Sequence, residues 1–232
     1  MKGNALKDRV VLITGATGGL GAVAARAAAK AGATVVLLGR TIPKLEKLYD
    51  AIVADGGPTP AIYPMDLGGA SEKDFLDLAT VVEEQLGGLH GLMHCAAELG
   101  NLSPLADVDG DRWARLLHVN LTAPFLLTRE LLPLLVKSGR GSVVFTGDSA
   151  VGAGKAYWGA YGVAKLGLQG YANILAEETE SFGLKVYVFT PGPMRSNIRL
   201  RAYPGETAAS LPAPEIHAER IVCLLGPSST SF

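Results

Sequence analysis

Residues 9–21 read RVVLITGATGGLG, and the way this stretch divides decides the fold. RVVLIT is a short, nearly continuous apolar run rich in β-branched residues, which is how a strand buried on both faces reads. Glycines follow at positions 15, 18, 19 and 21, and LGAVAARAAAKAG (20–32) has the alanine-rich composition of a helix. A strand that runs through a glycine loop into a helix lets bare backbone N–H groups approach a diphosphate at the positive end of that helix. Gly15, Gly19 and Gly21 are spaced TGxxxGxG, a different pattern from the GxGxxG fingerprint. Such a loop can also be a plain strand-to-helix turn, but its place at the first strand favours a nucleotide site.

Outward from this unit the pattern recurs. ATVVLLG (33–39), PAIYPM (60–65), LHGLMHC (89–95), GSVVFTG (141–147) and LKVYVFT (184–190) are further short apolar runs. Between them lie helical segments such as PKLEKLYDAIVADG (43–56), EKDFLDLATVVEEQLG (72–87) and YGVAKLGLQGYANILAEETESFG (161–183). Strict alternation of strand and helix predicts an α/β fold, a doubly wound parallel sheet of Rossmann type with helices on both faces. The chain of 232 residues shows no linker, repeat or low-complexity tract, so residues 1–232 are expected to form a single dinucleotide-binding and catalytic domain. In such a sheet the residues just beyond each strand's carboxyl end carry function.

Composition narrows the partners. Hydrophobic residues make up 48% and charged residues 19% of the chain, enough for a large core. A formal net charge of -1 without a long basic run excludes a general nucleic-acid footprint. The first residues, MKGNALKDRVVLIT, hold no apolar segment of signal-peptide length, and the longer apolar stretches are broken by Arg26, Lys30 and Arg40. A cytoplasmic protein without a membrane partner is expected. Cys95 and Cys223 lack CxxC or CxxH spacing and read as buried small side chains. His90 and His94 flank three residues of an expected strand, where that spacing spans roughly 13 Å, too far to share one ion. No metal site is expected.

The second strand ends LLGR. In dinucleotide sites an acid about 20 residues beyond the glycines takes the ribose hydroxyl of NAD, whereas a nearby arginine accommodates the 2′-phosphate of NADP. Here Gly39 stands at the acid's place and Arg40 follows, which favours NADP(H) and leaves NAD(H) as the alternative. Asp66, just after the third strand, can accept a hydrogen bond from an adenine amino group, or serve as a turn or N-cap aspartate before the next helix. YWGAYGVAKL (157–166) sets Tyr161 and Lys165 four residues apart, hence one helical turn apart on one face. A phenol ionises near ~10, and a neighbouring ammonium stabilises its phenolate.

Taken in order, TGATGGLG, Asp66-Leu67, Asn120 in HVNLTAPFLLT, Tyr161-x-x-x-Lys165 and PGPMRS resemble the short-chain dehydrogenase/reductase family over nearly the whole chain. FTGDSAVG, YWGAYGVAK, LLPLLVKSG and PGPMRSNIR are similar, more narrowly, to a group of bacterial cytoplasmic oxidoreductases within it. The resemblance implies that Tyr161 exchanges a proton with a carbonyl or alcohol substrate while hydride moves to or from the nicotinamide. It implies that Lys165 holds the nicotinamide ribose and that Asn120 positions a water beside Lys165. Cofactor contacts are implied at Gly15, Thr17, Gly19, Leu20 and Gly21 in the first loop. Arg40, Asp66, Leu67 and Ala96 follow at later strand ends, and Pro191, Gly192 and Ser196 after the sixth. The substrate pocket is expected from Leu99, Trp158, Met194 and Tyr203. Arg195, Arg199 and Arg201 either attract an anionic substrate or form a solvated face.

Three departures stand out. The family's substrate-orienting serine falls thirteen residues before the tyrosine, where this chain has Asp148; Ser149, one residue on, is expected to take that role, with Asp148 turned away. The fourth strand ends HCAA where NNAG is common. The chain stops at GPSSTSF where relatives enter a last strand, so a sheet without it is expected. The resemblance also implies a homodimer or homotetramer built on the long helices that follow Asn120 and contain Tyr161. These departures keep a second reading open, a dinucleotide-binding sensor on the same fold with little or no turnover.

Overall fold

The computed structural model describes residues 4–227. Six parallel strands form one sheet: β1 (Val10–Thr14), β2 (Thr34–Gly39), β3 (Ala61–Pro64), β4 (Gly91–His94), β5 (Ser142–Thr146) and β6 (Lys185–Phe189). Their spatial order is β3-β2-β1-β4-β5-β6. The chain works outward from β1 to one edge and then crosses back to β4, so the order reverses between β1 and β4. Connections on either side of that point diverge and leave a crevice beyond the strand ends.

Successive side chains of each strand point to opposite faces, and the sequence supplies apolar residues for both. Val11, Ile13, Val35 and Leu37 face one layer, where α1 (Gly19–Lys30), α2 (Ile42–Ala54) and the later α8 (Ala218–Leu225) cover them. Leu12, Val36, Leu38 and Leu92 face the other layer, covered by α3 (Glu72–Leu86), α5 (Ala123–Lys137) and α6 (Gly159–Thr179). Ala24, Ala25 and Ala28 on α1 are fully buried. Their small side chains explain why an alanine-rich helix follows the glycine loop: it lies close to the sheet. α3 is stopped by Gly87 in the left-handed conformation at φ 76° and started by a capping box between Ser71 and Asp74.

α4 (Gly110–Leu117) runs through a single π turn, His118–Thr122, directly into α5. The stretch Gly110–Lys137 is long and apolar enough by composition to cross a membrane, yet 56% of its most apolar window is buried inside the fold. It is an apolar helix because the sheet demands it. Beyond β6 come α7 (Asn197–Ala202) and then α8, which packs against the α1 side. Among the described residues the sheet ends at β6, and the last five residues of GPSSTSF lie outside them.

Candidate active site

A cavity of about 660 Å³ opens beyond the carboxyl ends of the strands, within the usual range for small-molecule and cofactor sites. Its floor is set at the switch point. The Thr14 hydroxyl accepts from the backbone N–H of both Cys95 and Ala96 at 3.2 Å, tying the ends of β1 and β4 together. Gly15 then turns with φ +62°, and a Cβ there would lie 2.7 Å from the Ala96 backbone. That position takes only glycine. Gly18 caps α1 without a side-chain hydrogen bond, and the first turn carries no acid. The first N–H groups of the helix are thus left for a ligand, beside a wall formed by Thr17, Gly19, Leu20 and Gly21. This fits a diphosphate.

At the end of β2 the Arg40 guanidinium lies 3.9 Å from Asp66, too far for a direct hydrogen bond. Asp66 accepts from the Gly68 N–H at 3.1 Å in a turn, while Ser71 caps α3. The aspartate is therefore a turn residue with a half-exposed carboxylate, not the N-cap. Lys44, four residues after Arg40, and Arg115 of α4 line the same cavity. Sequence reasoning missed both, although the Arg40-x-x-x-Lys44 spacing offered a signal for the first.

α6 starts at Gly159 and sets Tyr161 and Lys165 one turn apart, both buried and both on the cavity wall. The Lys165 ammonium donates to the Thr146 carbonyl at 2.7 Å and lies 5.6 Å from the Tyr161 ring centre. Burial lowers the Lys165 pKa to about 8, and the opposing pull of Asp148 and Cys95 is smaller. The Tyr161 hydroxyl donates to the Asp148 carboxylate at 2.8 Å. Burial, then the Asp148 charge, then this hydrogen bond hold the phenol well above its ordinary range.

Asp148 is thus not turned away, contrary to expectation. Its other oxygen accepts from the Ala150 N–H at 2.9 Å and caps the short 3₁₀ turn Ser149–Val151. A carboxylate with two donors has reason to face inward, and a one-residue slip of the loop would lose both. Ser149 opens that turn, exposed at the cavity wall, and the hydroxyl of Tyr161 is bonded to Asp148 in place of a serine.

Asn120 is held by backbone. It is buried in the π turn, and its amide donates to the Leu116 and Glu98 carbonyls at 2.8 Å and accepts from the Glu98 N–H at 3.0 Å. Both amide protons and one lone pair of Oδ1 are bound to backbone, which fixes the side chain and leaves the second lone pair of Oδ1 as its remaining acceptor. It anchors Glu98, which pairs with Arg115 at 3.1 Å. His94 replaces an expected Asn by stacking on Phe145, with ring centres 4.9 Å apart, and bonding Thr128 at 2.9 Å. Complete burial, with Lys165 nearby, drops its pKa to about 3. Neither cysteine is fully buried as predicted. Cys95 lies on the cavity wall, where desolvation pushes its thiol up to about 12.

Leu99, Trp158, Met194 and Tyr203 line the same cavity. Leu67, Ala96, Pro191, Gly192 and Ser196 line it too. Ser196 also caps α7, accepting from the Arg199 N–H at 3.1 Å. Arg199 forms a two-pronged pair with Glu206 and stacks on Tyr203 at 3.6 Å, and Arg201 donates to the Gly100 carbonyl at 2.8 Å. Two of the three arginines are spent on tying α7 to its surroundings. Among the described residues no cluster of His, Cys, Asp or Glu could hold a metal ion.

A parallel sheet with a glycine cradle at its switch point and a Tyr/Lys pair on the facing helix defines a dinucleotide-dependent oxidoreductase fold. A family model for short chain dehydrogenases matches residues 9–206, and the chain belongs to the short-chain dehydrogenase/reductase family. It is 36% identical over 98% of its length to the uncharacterised oxidoreductase YciK of Escherichia coli, covering 90% of that protein. A solved Pseudomonas syringae structure assigned to the short chain dehydrogenases is 42% identical, with TM-score 0.95 over 99% of this chain and 94% of the other. One from Shigella flexneri, complexed with NADP, is 36% identical with TM-score 0.93, covering 97% and 94%.

Proposed function

We propose that the protein is an NADP(H)-dependent oxidoreductase interconverting a carbonyl compound and an alcohol, with Tyr161 as the proton-exchanging acid. The observation that carries this reading is the Tyr161–Lys165 pair opening into the same cavity as the uncapped start of α1. Gly15, Thr17, Gly19, Leu20 and Gly21 would hold the diphosphate, Arg40 with Lys44 the 2′-phosphate, and Asp66 with Leu67 the adenine. Ala96, Pro191, Gly192 and Ser196 would flank the nicotinamide half. When bound, the cofactor supplies or accepts the hydride. Everything else falls to the chain. Leu99, Trp158, Met194 and Tyr203 exclude water around the substrate, Ser149 meets it on the cavity wall, and Lys165 places positive charge beside the phenol. The NADP-complexed Shigella relative supports the choice of cofactor.

A second reading is favoured by one specific observation: the Tyr161 proton is already held by Asp148. A site so occupied suits a dinucleotide-binding sensor with little turnover. Titrating NADPH and NADH by fluorescence, then following NADPH oxidation with aldehydes, ketones, quinones and keto acids, separates the two. In the enzyme reading, Tyr161→Phe retains NADPH binding and loses turnover by a factor of roughly 10²–10⁴. Tight NADPH binding with no turnover over the panel supports the sensor, and failure to bind either dinucleotide overturns both. In this reading the protein is also a homodimer or homotetramer, assembled through the α5 and α6 faces where Phe125, Leu166 and Ile174 are exposed.

A further inference from the structure

We propose that Asp148 is itself a catalytic residue, the base that takes the hydroxyl proton of the substrate alcohol while Tyr161 stays protonated and donates to the same oxygen. This rests on the oxidoreductase reading above and moves the proton exchange within it from Tyr161 to Asp148, leaving Tyr161 as the hydrogen-bond donor to the reacting oxygen. The geometry points to it in three ways. Asp148 and Tyr161 are 2.8 Å apart and both line the cavity, so a substrate hydroxyl inserted between them exchanges their one hydrogen bond for two, donating to the carboxylate and accepting the Tyr161 proton. The second carboxylate oxygen is fixed by the Ala150 N–H, which aims the first at the phenol. Lys165 gives one of its three protons to the Thr146 carbonyl and places its charge 5.6 Å from the Tyr161 ring centre, while the phenol oxygen itself is hydrogen-bonded to Asp148.

Elementary acidity decides where the proton sits. A carboxylic acid ordinarily ionises near ~4 and a phenol near ~10. In their hydrogen bond Tyr161 is the donor and Asp148 the acceptor, so the phenol keeps its proton and the carboxylate is placed as the base. The step balances as follows. The substrate O–H bond breaks and its proton goes to Asp148. The carbinol C–H bond breaks and leaves as hydride to the oxidised nicotinamide, which the proposed activity supplies, and the oxygen's electron pair closes the C=O bond. In the reverse direction Asp148 must first be protonated. The other titratable groups facing the pair are Lys165 from α6 and, at the end of β4, Cys95 and His94. All three stay in place in the variants below.

The test uses the full chain with Asp148→Asn, which keeps the shape and the Ala150 cap, and Asp148→Ser, which installs the residue that the resemblance expects. Tyrosinate absorbance near 295 nm is titrated in each, with Tyr161→Phe subtracted to isolate the one phenol. In both Asp148 variants Tyr161 is expected to ionise at least about one pH unit lower than in wild type. This readout needs no turnover. Oxidation of a substrate alcohol is then followed against pH. Wild type should hold its rate through neutral pH, whereas Asp148→Ser at pH 7 should fall by about a hundredfold and regain rate towards alkaline pH as Tyr161 ionises. An unchanged phenol titration overturns the proposal, as does an unchanged oxidation profile. Failure of wild type to bind NADP(H) would instead overturn the reading it rests on, leaving the phenol titration to report on the pair alone.

Discussion

His94 makes the fold sensitive to acid, and the size of the effect follows from its surroundings. The imidazole is buried between Phe145 and Thr128, and its pKa is about 3 in the folded chain against an ordinary 6.5. Between those values the unfolded chain binds a proton that the folded chain refuses, so stability rises with pH across the window and is lost as pH falls through it. From pH 7 to pH 5 the linkage amounts to ~2 kcal/mol, since one pKa unit corresponds to about 1.4 kcal/mol. For a chain of this size that lowers Tm by roughly 4–8 °C. The perturbation is His94→Asn, and the assay is urea unfolding followed by circular dichroism at both pH values. The variant is less stable at pH 7 by ~1–3 kcal/mol because the stack is lost, but its loss from pH 7 to pH 5 should be smaller than the wild type's by about 2 kcal/mol. His90 and His217, whose pKa values burial also lowers, remain in both proteins and cancel in the difference. An equal acid loss in wild type and variant would refute the assignment of a neutral, buried His94.

Two further outcomes are expected. Arg40→Ala should weaken NADPH binding about tenfold, ~1.4 kcal/mol, and leave NADH binding unchanged in a fluorescence titration, because Arg40 is matched to the 2′-phosphate alone; equal weakening of both would remove Arg40 from that role. Ile174→Glu on the exposed face of α6 should reduce the mass measured by light scattering from an oligomer to a monomer while shifting intrinsic stability by only about 0.5 kcal/mol; a monomeric wild type at micromolar concentration would refute the proposed assembly.

The sheet was legible because both of its faces are buried, which forces each strand to read as a continuous apolar run, as RVVLIT and ATVVLLG do. The cradle was legible because Gly15 answers to local constraints, a turn and a close backbone neighbour, that any sequence must meet with glycine. Asp148 was misread for the opposite reason. Its partners, Tyr161 and Ala150, are set by loop conformation, and a residue type does not say which of several nearby donors a carboxylate will find. Nor did composition show that His94 replaces an Asn by stacking on a ring fifty-one residues away in sequence, since only the β4–β5 register brings His94 opposite Phe145.

The departures share one location, and their charges bear on the substrate. His94, Cys95 and Asp148 all stand at the ends of β4 and β5, while the cradle after β1 keeps the family pattern. At neutral pH burial keeps His94 uncharged and Cys95 a thiol, and the Tyr161 phenol keeps its proton. The reacting end of the cleft then holds one carboxylate, Asp148, and one ammonium, Lys165. With Arg199 paired to Glu206 and Arg201 bound to Gly100, no free arginine on α7 tips that balance. An anionic substrate would meet the Asp148 carboxylate as well as the Lys165 ammonium, with no net positive charge to draw it in. A neutral alcohol or carbonyl, the substrate class proposed above, carries no charge for Asp148 to repel.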